Sequence, residues 1–140
     1  MNDHPKLPPL WVSLFSYCFA VFGTVMSFIG LVQILGHRLF RFSAFGFSFE
    51  ESEAVSGLAL FTLAGVAFAT ATGFLIITKT LKAYRFGIFF CLYTLIVIGF
   101  GCWFGKSIED SGIQAALLLV FLVHLCRNRQ SWEAFLGKEV

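Results

Sequence analysis

Four stretches of this chain run for about twenty residues with no charge at their centre, and they constrain the fold more than any other feature. They are Leu10 to Leu35, about Val55 to Thr78, about Phe86 to Gly105, and about Ile108 to Cys126. A helix needs ~20 apolar residues to cross ~30 Å of hydrocarbon, and each stretch is close to that length. A charge at the centre of such a helix costs ~2.5–3.5 kcal/mol on the insertion scale, so its absence from all four is informative. The expected fold is an all-α integral membrane protein. One compact bundle of four transmembrane helices makes up the single domain, residues 1–140.

Composition agrees. The chain is 58% hydrophobic and 13% charged, against about 25% charged in soluble domains. The formal net charge of +2 is scattered. No basic stripe or nucleic-acid motif exists, which argues against a nucleic-acid partner. The first apolar run follows Pro8-Pro9 and exceeds the ~7–15 residues of a signal-peptide core, so it reads as an uncleaved span. Pro9 suits the first helical position, and Trp11 and Tyr17 suit a membrane interface.

Lysine and arginine suggest an orientation. With four spans both termini share a side. That side carries Lys6, Lys79, Lys82, Arg85, Arg127, Arg129 and Lys138. The other side carries Arg38, Arg41 and Lys106, together with Glu50, Glu51, Glu53, Glu109 and Asp110. The positive-inside rule then places both termini in the cytoplasm. A bacterial inner membrane is the expected location, and a mitochondrial inner membrane is compatible with the same pattern.

Two features suggest contact surfaces. The outer segment 36–54 holds Phe40, Phe42, Phe45, Phe47 and Phe49, with Arg38 and Arg41 at its start and three glutamates following. Rings at headgroup depth explain it blandly, and a partner surface explains it more sharply. The alternation of Phe45, Phe47 and Phe49 also fits a short extended strand. Ser48 and Glu51 fit a capping box, which predicts a second helix starting near Phe49 with the glutamates at its N-terminus. The second span places Gly57, Gly65, Ala69 and Gly73 on one ridge, a small-xxx-small pattern that lets helices approach closely. Gly101 and Gly105 repeat it weakly on the third span.

Chemistry-bearing groups are sparse. Cys18, Cys91, Cys102 and Cys126 lie in or beside apolar runs without zinc spacing, at different depths of three expected helices. They read as packed thiols, not disulfides. Gln33, His124 and several hydroxyls are the polar groups inside the spans. His124 sits one turn before Arg127, at the edge of the fourth span, and has no second intramembrane histidine as a co-ligand. Ser107 and Ser111 are candidate caps for that span. Glu109 and Asp110 follow Lys106 and read as a loop charge pair. Trp132, Phe135 and Leu136 fit a short surface helix in the tail 127–140.

No nucleophile or acid–base pair converges on a site, so no catalytic residue, metal or cofactor is expected. The expected function is a non-catalytic membrane subunit that scaffolds, stabilises or regulates a larger complex. Its partners would be membrane lipid and other membrane subunits, or a second copy of itself. A small transporter or channel component completed by other chains is one alternative. A lipid-interacting membrane protein is another. No motif selects a family.

Overall fold

The computed structural model describes residues 10–36, 41–53, 56–78, 80, 82–106, 108–130 and 132. Four helices carry the fold: α1 (Leu10–Gly36), α2 (Gly57–Ile77), α3 (Ala83–Trp103) and α4 (Ile108–Arg127). Between α1 and α2 lies a two-stranded antiparallel hairpin, β1 (Phe42–Ala44) and β2 (Phe47–Phe49), followed by one 3-10 turn at Glu51–Glu53. Stretches within α1, α2 and α3 are each long and apolar enough to cross a membrane. The apolar stretch of α4, Ser111–Arg127, is shorter because Glu109 and Asp110 occupy its start.

The helices have apolar outer surfaces. Leu14, Tyr17, Val21, Val25, Phe28 and Leu31 are more than half exposed and recur every three or four residues along α1. Such a stripe suits a hydrocarbon solvent. Inside, small residues set the spacing. A Cβ at Gly73 of α2 would stand 2.6 Å from the Ser16 carbonyl oxygen and 2.7 Å from the Ala20 nitrogen of α1. Gly23 of α1 meets Thr70 of α2 in the same close manner. At the α3–α4 seam, a Cβ at Gly87 would lie 3.1 Å from Leu125 Cδ1. The Phe15 and Phe121 rings stack at 6.1 Å between centroids, joining α4 to α1. Phe19 meets Phe90 edge-on at 5.2 Å, tying α1 to α3.

One sequence expectation is overturned. The second helix does not begin near Phe49, and Ser48 with Glu51 is not its capping box. Residues 47–49 form a strand, and α2 starts at Gly57, where the Ser56 hydroxyl accepts from the Ala59 N–H at 3.3 Å. The three glutamates precede that helix and lie outside its first turn. The physical reason is ring burial. A strand puts Phe47 and Phe49 on one face with Phe42 opposite, whereas a helix would turn them ~200° apart at ~100° per residue. The third helix begins at Ala83, one turn earlier than expected. It ends in a glycine cap: Gly105 has φ +78°, its N–H donates to Cys102 O, and the Lys106 N–H donates to Gly101 O. Of the candidate caps for α4, Ser111 sits inside the helix and Ser107 lies outside the described residues.

Candidate functional site

The hairpin is the element that shapes the site. Its register pairs Phe42 with Phe49, Ser43 with Ser48, and Ala44 with Phe47. Phe42, Ala44, Phe47 and Phe49 face inward and are buried, while Ser43 and Ser48 face out. The Phe42 and Phe49 rings stack at 4.8 Å. Phe45 and Gly46 form the two-residue turn with φ of 54° and 80°, the signature of a turn matched to strand twist. A phenylalanine in that left-handed conformation carries a backbone cost of ~1–2 kcal/mol. Its ring offsets this by packing beside Gly65, where an added Cβ would lie 3.0 Å from Phe45 Cε2. Gly101 of α3 makes room for the Phe47 ring.

These contacts locate the residues singled out in the sequence. Phe42, Phe47 and Phe49 are 6%, 1% and 2% exposed, so their rings are spent inside the fold. Gly65 and Gly73 pack against Phe45 and α1, and Ala69 is buried with them. Gly57 is exposed with open space beside it. Phe40 lies outside the described residues.

Above the hairpin's edge a cleft of about 680 Å³ opens between the first half of α2 and the second half of α3. Leu58 and Phe61 form one wall. Ile96, Val97, Phe100 and Phe104 form the other. Phe61, Ile96, Phe100 and Phe104 are each more than half exposed, so the cleft opens onto the apolar outer surface. Its inner end is closed by Tyr93, whose hydroxyl donates to the Phe61 carbonyl at 2.9 Å across the helices. Below that bond Phe68 packs on Phe86, Phe89 and Tyr93, with centroids 5.0 to 6.1 Å away, and seals the rest of the seam. From Tyr93 to Phe104 the cleft runs ~16 Å along the axis, at ~1.5 Å per residue.

The other end is polar. Lys106 Nζ lies 2.9 Å from Glu53 Oε2, donates to the Ser48 carbonyl at 3.3 Å, and sits 5.0 Å from the Phe49 ring centroid. Glu53 also accepts from the Glu50 N–H at 3.3 Å. The Lys106 hydrogen bond, then the Glu50 N–H, hold the Glu53 carboxyl below the usual glutamate value. In the structure Lys106 bridges back to Glu53, 53 residues earlier in sequence. This long-range pair carries no local sequence signal. Tyr93 had a weak one: a lone phenol inside an apolar span.

No known family matches the chain. No curated protein and no solved structure matches it either.

Four threonine hydroxyls serve their own helices. The Thr24, Thr62, Thr70 and Thr72 hydroxyls donate to carbonyls four residues back at 2.6 to 2.9 Å. His124 Nδ1 lies 3.2 Å from the Asn128 side-chain nitrogen, and its ring meets Trp132 edge-on. Phe135 and Leu136, the rest of the expected surface helix, lie outside the described residues. All four cysteines are free thiols. Among the described residues no three His, Cys, Asp or Glu side chains gather to hold a metal.

Proposed function

We propose that the chain is a non-catalytic, four-span membrane protein that holds one acyl chain of a membrane phospholipid between α2 and α3. The observation that carries this is the cleft itself: apolar walls, a lateral opening, and one charged end. Its volume lies within the ~300–1,000 Å³ usual for ligand sites. Its ~16 Å length is about half of a ~30 Å hydrocarbon core, the depth of one leaflet. The split of basic residues supports cytoplasmic termini, hence a cleft in the outer leaflet of a bacterial inner membrane.

Native mass spectrometry of the protein extracted in mild detergent tests this. The intact protein should carry about one phospholipid per chain. Ile96→Trp places an indole in the cleft mouth without touching the core, since Ile96 is 59% exposed. That variant should lose most of the adduct. An intact protein without phospholipid, or equal retention by the variant, would overturn the proposal.

The accessory-subunit reading has a different candidate face from the one expected. Gly65, Ala69 and Gly73 are already used within the bundle. Beside Gly99 of α3, by contrast, there is open space, and Ile96, Phe100 and Trp103 surround it in a shallow depression of about 290 Å³. A partner helix could seat there. Gly99→Leu should then disrupt co-purification of that partner and leave the lipid adduct in place.

A further inference from the structure

We infer that the cleft selects a zwitterionic phospholipid whose headgroup carries an ammonium with N–H donors, of the phosphatidylethanolamine type. This rests on the lipid-binding reading above and deepens it. The selecting element is the pair of opposite charges at the open end. Glu53 and Lys106 both line the cleft, and their side chains keep 44% and 23% exposure. Neither is saturated among the described residues. An ammonium has three N–H donors, and Lys106 uses two, on the Ser48 carbonyl and Glu53 Oε2. Glu53 takes both of its hydrogen bonds on Oε2, which leaves Oε1 open among the described residues. The rim therefore presents one free donor and one free acceptor side by side. A phosphate takes the donor, and a headgroup ammonium gives to the acceptor. Such charge-assisted bonds are stronger than neutral ones.

Charge balance argues against an anionic lipid. The pair is neutral as a unit, and the exposed Glu50 and Glu51 on the same short segment outnumber Arg41, the exposed cation at the start of the hairpin. A headgroup with net negative charge meets Lys106 only in competition with Glu53, and with two further carboxylates nearby. A headgroup with its own ammonium turns that acidic surround into an attraction. Complementarity of this kind acts mainly on selectivity. A choline headgroup has the charge but lacks the N–H donors that Glu53 Oε1 can accept.

The test is competition. The full-length protein in mild detergent is given equal amounts of phosphatidylethanolamine, phosphatidylcholine and phosphatidylglycerol with identical acyl chains, and adducts are counted by native mass spectrometry. Phosphatidylethanolamine should be enriched about fivefold over phosphatidylglycerol, the scale of one partly exposed charge pairing, and should also exceed phosphatidylcholine. Glu53→Gln, which keeps size and exposure, should bring the ratio to phosphatidylglycerol down to about one or below, because Lys106 is then unopposed. Phosphatidylglycerol or phosphatidylcholine held as well as phosphatidylethanolamine would overturn the selectivity and leave the cleft's lipid binding standing. So would a ratio that Glu53→Gln does not move. Failure of all three lipids to bind would overturn the lipid-binding reading itself.

Discussion

Gly73 and Gly99 are both helical glycines, and their surroundings are opposite. At Gly73 a methyl group would meet the backbone of α1, which cannot rotate away. At Gly99 it would meet nothing within 4 Å. We therefore expect Gly73→Ala to lower stability by about 1–3 kcal/mol through overpacking. Gly99→Ala should be neutral or stabilising by up to about 1 kcal/mol, from helix propensity. The midpoint of detergent-induced unfolding measures both, and equal shifts would mean that the α1–α2 approach is looser than described. Spacing alone could suggest that α2 comes close to some other backbone. It could not say which, because a ridge of small residues carries no information about its neighbour. Here the neighbours are α1 and the Phe45 ring of the hairpin.

The hairpin shows how far patterning reaches at the scale of elements. Alternation of Phe45, Phe47 and Phe49 signalled a strand, and 47–49 is one. Phe45 belongs to the turn, because a two-residue loop carries the inward parity over to Ala44 and Phe42. The usual turn dipeptides are absent, so the pairing was not visible in the sequence; only Gly46 hints at it. What holds the hairpin end to α3 is Lys106, which reaches the Ser48 carbonyl and Glu53 from just past the glycine cap. This contact has a defined pH dependence. The folded Glu53 carboxyl titrates below its ordinary value of 4.5. Its stabilising contribution is therefore complete above that value and is lost as pH falls through the lower, folded one. Stability should show no change from this pair between about pH 7 and pH 5, and should drop below that range. Lys106→Met removes the partner, so its unfolding midpoint should fall less steeply on acidification than that of the unaltered protein. Parallel acid profiles would show that the pair does not tie the hairpin down.

At the scale of the whole molecule, the number of crossings decides the sides of both termini, and α4 decides the number. Its apolar stretch is the shortest, and length alone leaves it short of the other three. Packing argues that it crosses nonetheless. Leu125, near its end, lies against Gly87, near the start of α3, so α4 runs back along nearly all of its neighbour. One turn earlier, Phe121 stacks on Phe15 of α1 and meets Phe19 edge-on. A helix that packs along a neighbour long and apolar enough to span shares that neighbour's depth. The ~26 Å of Ser111–Arg127, at ~1.5 Å per residue, falls within the range that bilayers accommodate by local thinning. We expect four crossings, with both termini cytoplasmic and the hairpin outside. With the natural cysteines replaced, a cysteine at the outward-facing Ser43 should react with an impermeant maleimide on intact cells. One at the buried Ala44 should react only after denaturation, because its side chain points into the bundle. A cysteine added after Val140 should react only once the membrane is opened. Reaction of that last site on intact cells, with Ser43 also reactive, would mean three crossings and remove α4 from the membrane. Reactivity of Ser43 only after permeabilisation would invert the protein and place the cleft in the inner leaflet.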